Sequence, residues 1–149
     1  MVAAGAAKWI TGEIARGDGH RWRARAGGIL TGIGTVLADD PQLTCRLPGM
    51  EDRSPLRIVL DSQLRLPPDS QLARSAKECP VWLFTTRRER ASDEAKKLED
   101  CGITILNGGD SKAYIDLGQV LAQLAGRGIT RLMVEGGKTV ITSFFQEQL

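Results

Sequence analysis

The sequence predicts an α/β domain in which helices flank a mostly parallel sheet. Five short runs rich in apolar and β-branched residues have the length of buried strands, and helical patterns fill several of the gaps between them. The runs are Gly28–Thr31, Leu56–Leu60, Val81–Thr85, Ile103–Leu106 and Arg131–Glu135. Strands that alternate with helices need crossover connections, which join parallel neighbours. Because ligands of such sheets bind at the carboxyl ends of the strands, we expect function in the strand-to-helix loops.

Four helices are predicted around these strands. The clearest begins near Asp116 and ends at Gly126 and Gly128. Its apolar residues recur at the i, i+3, i+4, i+7 spacing of one buried face, namely Leu117, Val120, Leu121 and Leu124. The other three helices cover about Thr11–Ala26, about Ala91–Asp100 and a stretch from Gly137 toward Leu149. The segments Arg46–Pro55 and Gln63–Pro80 are predicted to be loops.

The length and composition suit one globular domain. The 149 residues fit a single domain, and an apolar share of 42% supplies material for a core. The 20 basic residues exceed the 18 acidic ones by only two and are scattered, so nucleic acid is not a predicted partner. No apolar run reaches the length that spans a bilayer, and Met1–Ala7 lacks the charge and the apolar run of a secretion signal. A membrane is therefore not a predicted partner either.

The cysteines and the single histidine narrow the classes of chemistry. The three cysteines are far apart and form no Cys-x-x-Cys pair, which argues against a disulfide framework and a thiolate zinc site and favours a reducing cytoplasm. With His20 alone, a Ser-His-Asp triad or a multi-histidine metal site is hard to build, and no metal is predicted. Cys45 beside Arg46 is either an activated thiol or, as is commoner, a small buried side chain.

Two glycine-bearing segments follow predicted strands. In Val134–Thr139 a strand ends in Glu135 and two glycines and then enters a helix, whose free amides and positive dipole end favour an anion such as a pyrophosphate. The alternative is an ordinary glycine turn between a strand and a helix. The segment Thr31–Val36 holds the first two glycines of a dinucleotide fingerprint, but Leu37 replaces the third, so it supports a nucleotide site only together with the Glu135 segment.

Charged segments leave further alternatives open. Asp39-Asp40-Pro41 is typical of a turn when it is taken by itself. The arginines around Trp22 form either a solvated helix face or a phosphate clamp, and they are Arg16, Arg21, Arg23 and Arg25. The Thr85–Arg88 segment ends a strand and either holds a 2′-phosphate or caps the next helix.

Several motifs in order along the chain resemble the reductase domain of the bacterial bifunctional riboflavin biosynthesis deaminase-reductase. The most specific is the string GTVLADDPQLT at Gly34–Thr44, which outweighs the turn interpretation of its aspartates. The others are Lys8–Thr11, Arg21–Arg25, Gly28–Gly32, Arg57–Ser62 and Val134–Gly137. The resemblance implies a dihydrofolate-reductase-like fold and NADPH-dependent reduction of 5-amino-6-(5-phosphoribosylamino)uracil, a small phosphorylated molecule, to its ribitylamino product. It also implies a homodimer in the full-length family.

The resemblance carries site roles onto matching positions. The implied cofactor-site residues are Trp9, Thr35, Asp39, Ser62 and the turn Gly136, Gly137, Lys138 and Thr139, with the helix start continuing to Ser143. The implied substrate-binding residues are Arg23, Leu43, Arg46 and Glu135. Asp39 and Glu135 are the implied catalytic pair. On this assignment Arg23 and Arg46 neutralise the substrate phosphate, while Glu135 accepts hydrogen bonds from the pyrimidine or sugar.

The sequence also departs from the family pattern. Ala7 stands where the family usually has a serine, and the family's first strand, with a lysine and a Ser-Leu-Asp-Gly turn, and its closing strands are expected to lie outside this sequence. Residues 1–149 are thus predicted to form one partial reductase domain, incomplete at both ends. Deaminase motifs are absent from it. Three hypotheses follow: a working reductase, a non-catalytic remnant that keeps part of a nucleotide-binding surface, and an unrelated nucleotide-binding module.

Overall fold

A computed structural model describes residues 12–86, 92–111 and 114–149 of the chain. It confirms the predicted α/β class. The helices are α1 (Glu13–Arg25), α2 (Ile33–Asp39), α3 (Gln71–Arg74), α4 (Asp93–Asp100), α5 (Leu117–Gly126) and α6 (Lys138–Gln146). The strands are β1 (Gly28–Gly32), β2 (Leu56–Leu60), β3 (Val81–Thr85), β4 (Thr104–Asn107) and β5 (Leu132–Val134). A short 3-10 turn covers Glu51–Arg53.

The five strands form one sheet in the order β4-β3-β2-β1-β5, and every neighbouring pair is parallel. In the register of the sheet, Leu30 of β1 lies opposite Ile58 of β2 and Val134 of β5. The chain first builds outward from β1 to β4 and then returns to add β5 on the other side of β1. Where the connections after two adjacent strands run to opposite sides of the sheet, a crevice opens at the carboxyl ends of those strands. Sheets of this kind bind ligands in that crevice.

Apolar residues of the strands alternate between two cores, one on each face of the sheet. On the first face, Ile29, Val59 and Leu83 pack with residues of α2, α3 and α4. On the second face the strands pack with residues of α5 and α6, and that cluster includes Leu30, Ile58, Phe84, Val120, Leu124 and Val140. Alternation of this kind follows from the two-residue period of a strand. The sheet is therefore covered on both faces, as predicted.

Helix α2 corrects the prediction of a glycine loop at Thr31–Val36. Strand β1 runs through Gly32 and passes directly into α2 without a loop, because burial of Ile33 and Val36 makes a short helix favourable there. A Cβ atom on Gly32 would lie 2.7 Å from Cγ2 of Val140, so glycine allows α6 to pack against the end of β1. Gly32 thus serves close packing at the strand end, whereas Gly34 has open space around it.

Helix α3 and the 3-10 turn correct the prediction that Gln63–Pro80 and Arg46–Pro55 are wholly loops. Ser70 caps α3 by accepting a hydrogen bond from the backbone N–H of Ala73, and Leu72 is fully buried. A capped single turn needs only one apolar anchor, which leaves no periodic pattern in the sequence.

A buried arginine joins the sheet to the segments above its first face. The Arg57 side chain, on β2, is fully inaccessible to solvent, and burial lowers its pKa. Its Nη1 donates to the Gln42 carbonyl at 3.1 Å and to the Ser75 hydroxyl at 2.8 Å. Its Nη2 donates to the carbonyls of Ser75 and Cys79. The guanidinium thus fixes the position of Gln42, whose side chain belongs to the site described below.

Candidate functional site

A first cavity of about 530 Å³ lies over the carboxyl ends of β1 and β2, beside the start of α6. Five of the predicted cofactor-site residues line it, namely Thr35, Asp39, Ser62, Gly137 and Thr139. Ser143, at the end of the stretch predicted to wrap a pyrophosphate, lines it as well. These residues come from three separate segments, and residues 114–117 add a fourth at the same edge of the sheet.

The start of α6 is built for a close backbone approach to a ligand. Gly136 and Gly137 have φ angles of +72° and +78°, a region that other residues rarely adopt. Within the described residues, no side chain caps the helix at Gly137, and Gly137 and Thr139 line the cavity beside the first amides of α6. A Cβ on Gly136 would lie 3.1 Å from the Thr35 hydroxyl. Uncapped amides at a helix start are a site for an anion.

A second cavity of about 600 Å³ adjoins the first. Three of the predicted substrate residues line it, namely Arg23, Leu43 and Arg46. Ala38 and Asp39, from the last turn of α2, line both cavities and so form the wall between them. Asp39 is exposed, and within the described residues its carboxylate has no hydrogen-bond partner.

Arg23 and Glu135 are paired with each other across the fold. Arg23 Nε donates to Glu135 Oε1 at 2.8 Å and Nη2 donates to Oε2 at 2.6 Å, which is a bidentate ion pair. Nη1 of the same arginine donates to the Thr44 carbonyl at 3.1 Å. Both carboxylate oxygens of Glu135 accept from Arg23, and each keeps a further lone pair, so the predicted hydrogen bond from Glu135 to the substrate stays a prediction. In this arrangement Glu135 aims Arg23 toward the second cavity.

Removing the two partners separately and together should show that this pair is coupled. In a double-mutant cycle of Arg23→Met and Glu135→Gln, we expect a coupling free energy of about 1–2 kcal/mol in urea unfolding, because the pair is bidentate and mostly buried. The exposed pair Arg21–Asp18, 3.2 Å apart on α1, is the control and should couple by less than about 0.5 kcal/mol. Equal coupling free energies in the two cycles would contradict the interpretation of Arg23 and Glu135 as a strongly coupled ion pair.

Arg46 is held by a chain of side chains that the sequence reasoning missed. Its Nη1 donates to Gln42 Oε1 at 3.0 Å, and Gln42 Nε2 donates to Gln71 Oε1 at 2.7 Å. Gln71 in turn donates from its backbone N–H to Asp40 Oδ1 at 2.8 Å and from Nε2 to the Asp40 carbonyl at 2.6 Å. Gln42 and Gln71 both line the second cavity.

Leu43 lies in the wall of the second cavity with its side chain buried, at 3% exposure. Its backbone has a φ angle of +55°, in the left-handed region.

Ser62 is set at the first cavity by its buried neighbour Asp61. The Asp61 carboxylate accepts the backbone N–H of Leu66 at 2.8 Å and that of Gln63 at 3.4 Å, which closes the loop after β2. Burial raises the pKa of Asp61, while these hydrogen bonds act in the opposite direction. Thr86 adds a further restraint, since its hydroxyl donates to the Ser62 carbonyl at 3.1 Å.

The remaining predicted residues are placed as follows. Trp9, Arg87 and Arg88 lie outside the described residues. Lys138 is exposed on the first turn of α6 and does not line the first cavity. Cys45 is buried and its Sγ donates to the His20 carbonyl at 3.5 Å, which agrees with the structural interpretation of that cysteine.

Within residues 12–86, 92–111 and 114–149, no three metal-ligating side chains cluster. In the same part of the chain, no helix has the length and apolar character to cross a bilayer.

The parallel sheet with two adjoining cavities at its carboxyl ends defines an α/β domain of the dihydrofolate-reductase-like class. The family model of the RibD C-terminal domain matches residues 2–149. The chain belongs to the RibD C-terminal domain family.

Individual relatives agree with this assignment. The riboflavin biosynthesis protein RibD of Bacillus amyloliquefaciens is 39% identical over 142 residues, which are 94% of this chain and 36% of that protein. The 2,5-diamino-6-ribosylamino-4(3H)-pyrimidinone 5′-phosphate reductase of Archaeoglobus fulgidus is 33% identical over 137 residues, 87% of this chain and 60% of that protein. Form 1 of Acinetobacter baumannii RibD superposes with a TM-score of 0.76 at 33% identity and covers 99% of this chain and 39% of that one. This chain thus spans about two fifths of the length of the RibD proteins that it matches.

Proposed function

We propose that this chain carries the NADPH-dependent reductase activity that converts the ribosyl group of 5-amino-6-(5-phosphoribosylamino)uracil to the ribitylamino product. The observation that carries the proposal is the shared wall: Asp39 borders a cavity with the features of a nucleotide site and a second cavity lined by two arginines. Hydride transfer requires a cofactor and a substrate in contact, which two adjoining cavities provide. The Archaeoglobus relative is named a reductase of a phosphorylated ribosylamino-pyrimidinone, which supports the substrate class.

The residues of the first cavity fit a dinucleotide cofactor. The uncapped amides of α6 and the left-handed Gly136–Gly137 turn suit a pyrophosphate. The hydroxyls of Thr35, Ser62 and Thr139 supply further donors and acceptors in the same cavity. We assign NADPH here, with Trp9 as a further contact by family resemblance. When bound, this cofactor would supply the hydride that reduces the ribosyl carbon.

The second cavity suits the phosphorylated aminouracil. The Arg46 guanidinium is exposed and bonded at Nη1 to a neutral amide, so its remaining N–H groups are available to phosphate oxygens. Arg23 brings a second positive charge, which Glu135 orients. Leu43 forms an apolar part of the same wall. We propose that Asp39, between the two cavities, is the catalytic contact that aligns both ligands.

Three further assignments belong to this proposal. All three cysteines are free, which suits a reducing cytoplasm. The homodimer implied by the family resemblance stays a prediction. The choice of NADPH over NADH also rests on the resemblance.

Titration of the purified chain with NADPH tests the cofactor site directly. We expect saturable enhancement of nicotinamide fluorescence together with a raised Tm, because a ligand that binds only the folded state stabilises it. Gly137→Ala should weaken NADPH binding at least about tenfold, since it strains a positive φ at the helix start. Gly126→Ala, at a helical position with open space around it, is the control and should bind as the parent does.

Turnover tests the second half of the proposal. Addition of the phosphoribosylaminouracil to the NADPH complex should cause a loss of absorbance at the nicotinamide band with formation of the ribitylamino product. Binding without turnover would instead favour the non-catalytic nucleotide-binding hypothesis. Absence of both would contradict the proposed function.

A further inference from the structure

The single histidine of the chain joins α1 to the wall of the second cavity. His20 Nδ1 accepts the backbone N–H of Arg46 at 3.2 Å. The carbonyl of the same residue accepts the Cys45 thiol at 3.5 Å, and Arg23, one turn further on, donates to the Thr44 carbonyl at 3.1 Å. Three consecutive residues, 44–46, are therefore tied to one turn of α1.

We infer that His20 is a positioning residue for the phosphate subsite, which it sets by holding the backbone of Arg46 in the cavity wall. The inference deepens the proposed function and rests on it. The ligand class is a sugar phosphomonoester, which follows from the proposed substrate, and a guanidinium at the cavity surface is suited to bind its phosphate. Gln42 restrains the tip of the Arg46 side chain, and His20 restrains its backbone, so the two restraints act on opposite ends of one residue.

This role needs a neutral imidazole. Nδ1 accepts a hydrogen bond only when it carries no proton, so the proton of the neutral ring is on Nε2. Burial lowers the pKa of His20, and the positive charges of Arg23 on its own helix and of Arg46 on the facing segment lower it further. The Thr44 carbonyl and Glu135, from the segment after β5, act in the opposite direction.

The lowered pKa sets the direction of the pH dependence. The unfolded chain takes up the proton at a higher pH than the folded one, so this contribution to stability is present above about pH 6.5 and is lost as the pH falls through the folded-state pKa. Over the same pH range Nδ1 gains a proton and can no longer accept a hydrogen bond, so the hydrogen bond from the Arg46 backbone N–H is lost. Affinity for the phosphorylated ligand should therefore fall with falling pH.

Nitrogen NMR of the imidazole tests the assignment without any need for activity. Because the chain has one histidine, its ring gives a single titration. We expect an unprotonated Nδ1 near neutral pH, a pKa below the ordinary value of about 6.5, and a change in the ring signals when ribose 5-phosphate is added. A proton on Nδ1 at neutral pH would overturn the inference.

Variants then test whether the hydrogen bond positions Arg46. His20→Leu removes the acceptor, and we expect the Kd for ribose 5-phosphate to rise about tenfold, with NADPH affinity unchanged. The acid-side loss of affinity should then shrink to the part that protonation of the ligand's own phosphate causes, since its second pKa is about 6. His20→Asn keeps an acceptor near the Nδ1 position and should restore binding to within about threefold of the parent. His20→Gln places its acceptor further out and should behave as the leucine variant does, and it replaces that variant if leucine prevents folding.

Two outcomes separate the inference from the proposed function. Unchanged ribose 5-phosphate affinity in the leucine and glutamine variants, or an asparagine variant as weak as they are, would overturn the role of His20 whether or not the chain turns over. If the His20 variants change ribose 5-phosphate affinity as expected but the chain never oxidises NADPH, the proposed reduction is overturned and the role of His20 in the phosphate subsite stands. Where turnover is seen, KM for the phosphorylated substrate should follow the ribose 5-phosphate Kd, with kcat changed by less than about twofold.

Discussion

Replacing Asp39 with asparagine should lower kcat/KM for the phosphoribosylaminouracil by at least about 100-fold while the free energy of unfolding changes by less than about 0.5 kcal/mol. The two effects separate because the carboxylate is exposed and borders both cavities, yet has no hydrogen-bond partner within the described residues. Its loss therefore removes a contact to the ligands but no hydrogen bond that stabilises the fold. Steady-state kinetics with NADPH, alongside urea unfolding, provide both numbers.

Asp100→Asn is the matched control for this substitution. Asp100 is an exposed acid at the end of α4 and lines neither cavity. The control should leave kcat/KM within about twofold of the parent. An Asp39→Asn variant with parental kcat/KM would remove Asp39 from the reaction, and a large loss of stability in that variant would show that the carboxylate is structural.

Replacing Arg57 with alanine should lower the free energy of unfolding by at least about 4 kcal/mol. The backbone carbonyls of Gln42 and Cys79 and the Ser75 hydroxyl lose their donor, whereas the Ser75 carbonyl keeps the N–H groups of Glu78 and Cys79. Each acceptor that is buried without a donor costs about 1–3 kcal/mol. The large side chain also leaves a cavity beside the first core, which adds to the loss. Urea unfolding followed by circular dichroism gives the value.

Two companion substitutions separate the contributions at this site. Arg57→Met fills most of the volume without restoring a donor, so it should fall between the alanine variant and the parent. Arg74→Ala removes an exposed arginine of α3 and should change stability by less than about 0.5 kcal/mol. A loss of only 1 kcal/mol or so for Arg57→Ala would mean that water replaces the guanidinium at its acceptors.

The strands could be predicted from the sequence because a sheet covered on both faces leaves continuous apolar runs. The predicted run Leu56–Leu60 has the observed bounds of β2, and Val81–Thr85 has those of β3. The longer helices could be predicted for a similar reason, since α5 presents a full apolar face. Helices α2 and α3 could not, because a helix of one or two turns has no periodic pattern and depends on tertiary packing.

The first cavity was easier to predict than the second. Its glycines and hydroxyl side chains lie in strand-to-helix segments, where the sheet itself indicates function. The residues that hold Arg46 gave no such signal, because their hydrogen bonds join positions far apart in sequence: 26 residues separate His20 from Arg46, and 29 separate Gln42 from Gln71. The buried state of Arg57 was equally invisible, since a charged residue early in a strand is usually solvated.

The seven residues of α2 carry a consequence for how such a domain can vary. Because each residue of an α-helix turns the chain by about 100°, one insertion between Gly32 and Asp39 would swing the carboxylate more than a quarter turn out of the wall between the cavities. Side-chain replacements along α2 leave that geometry intact, whereas a change in residue count does not. The number of residues from the end of β1 to this aspartate is therefore a fixed length, and a relative that gains or loses one there should have given up one of its two ligands.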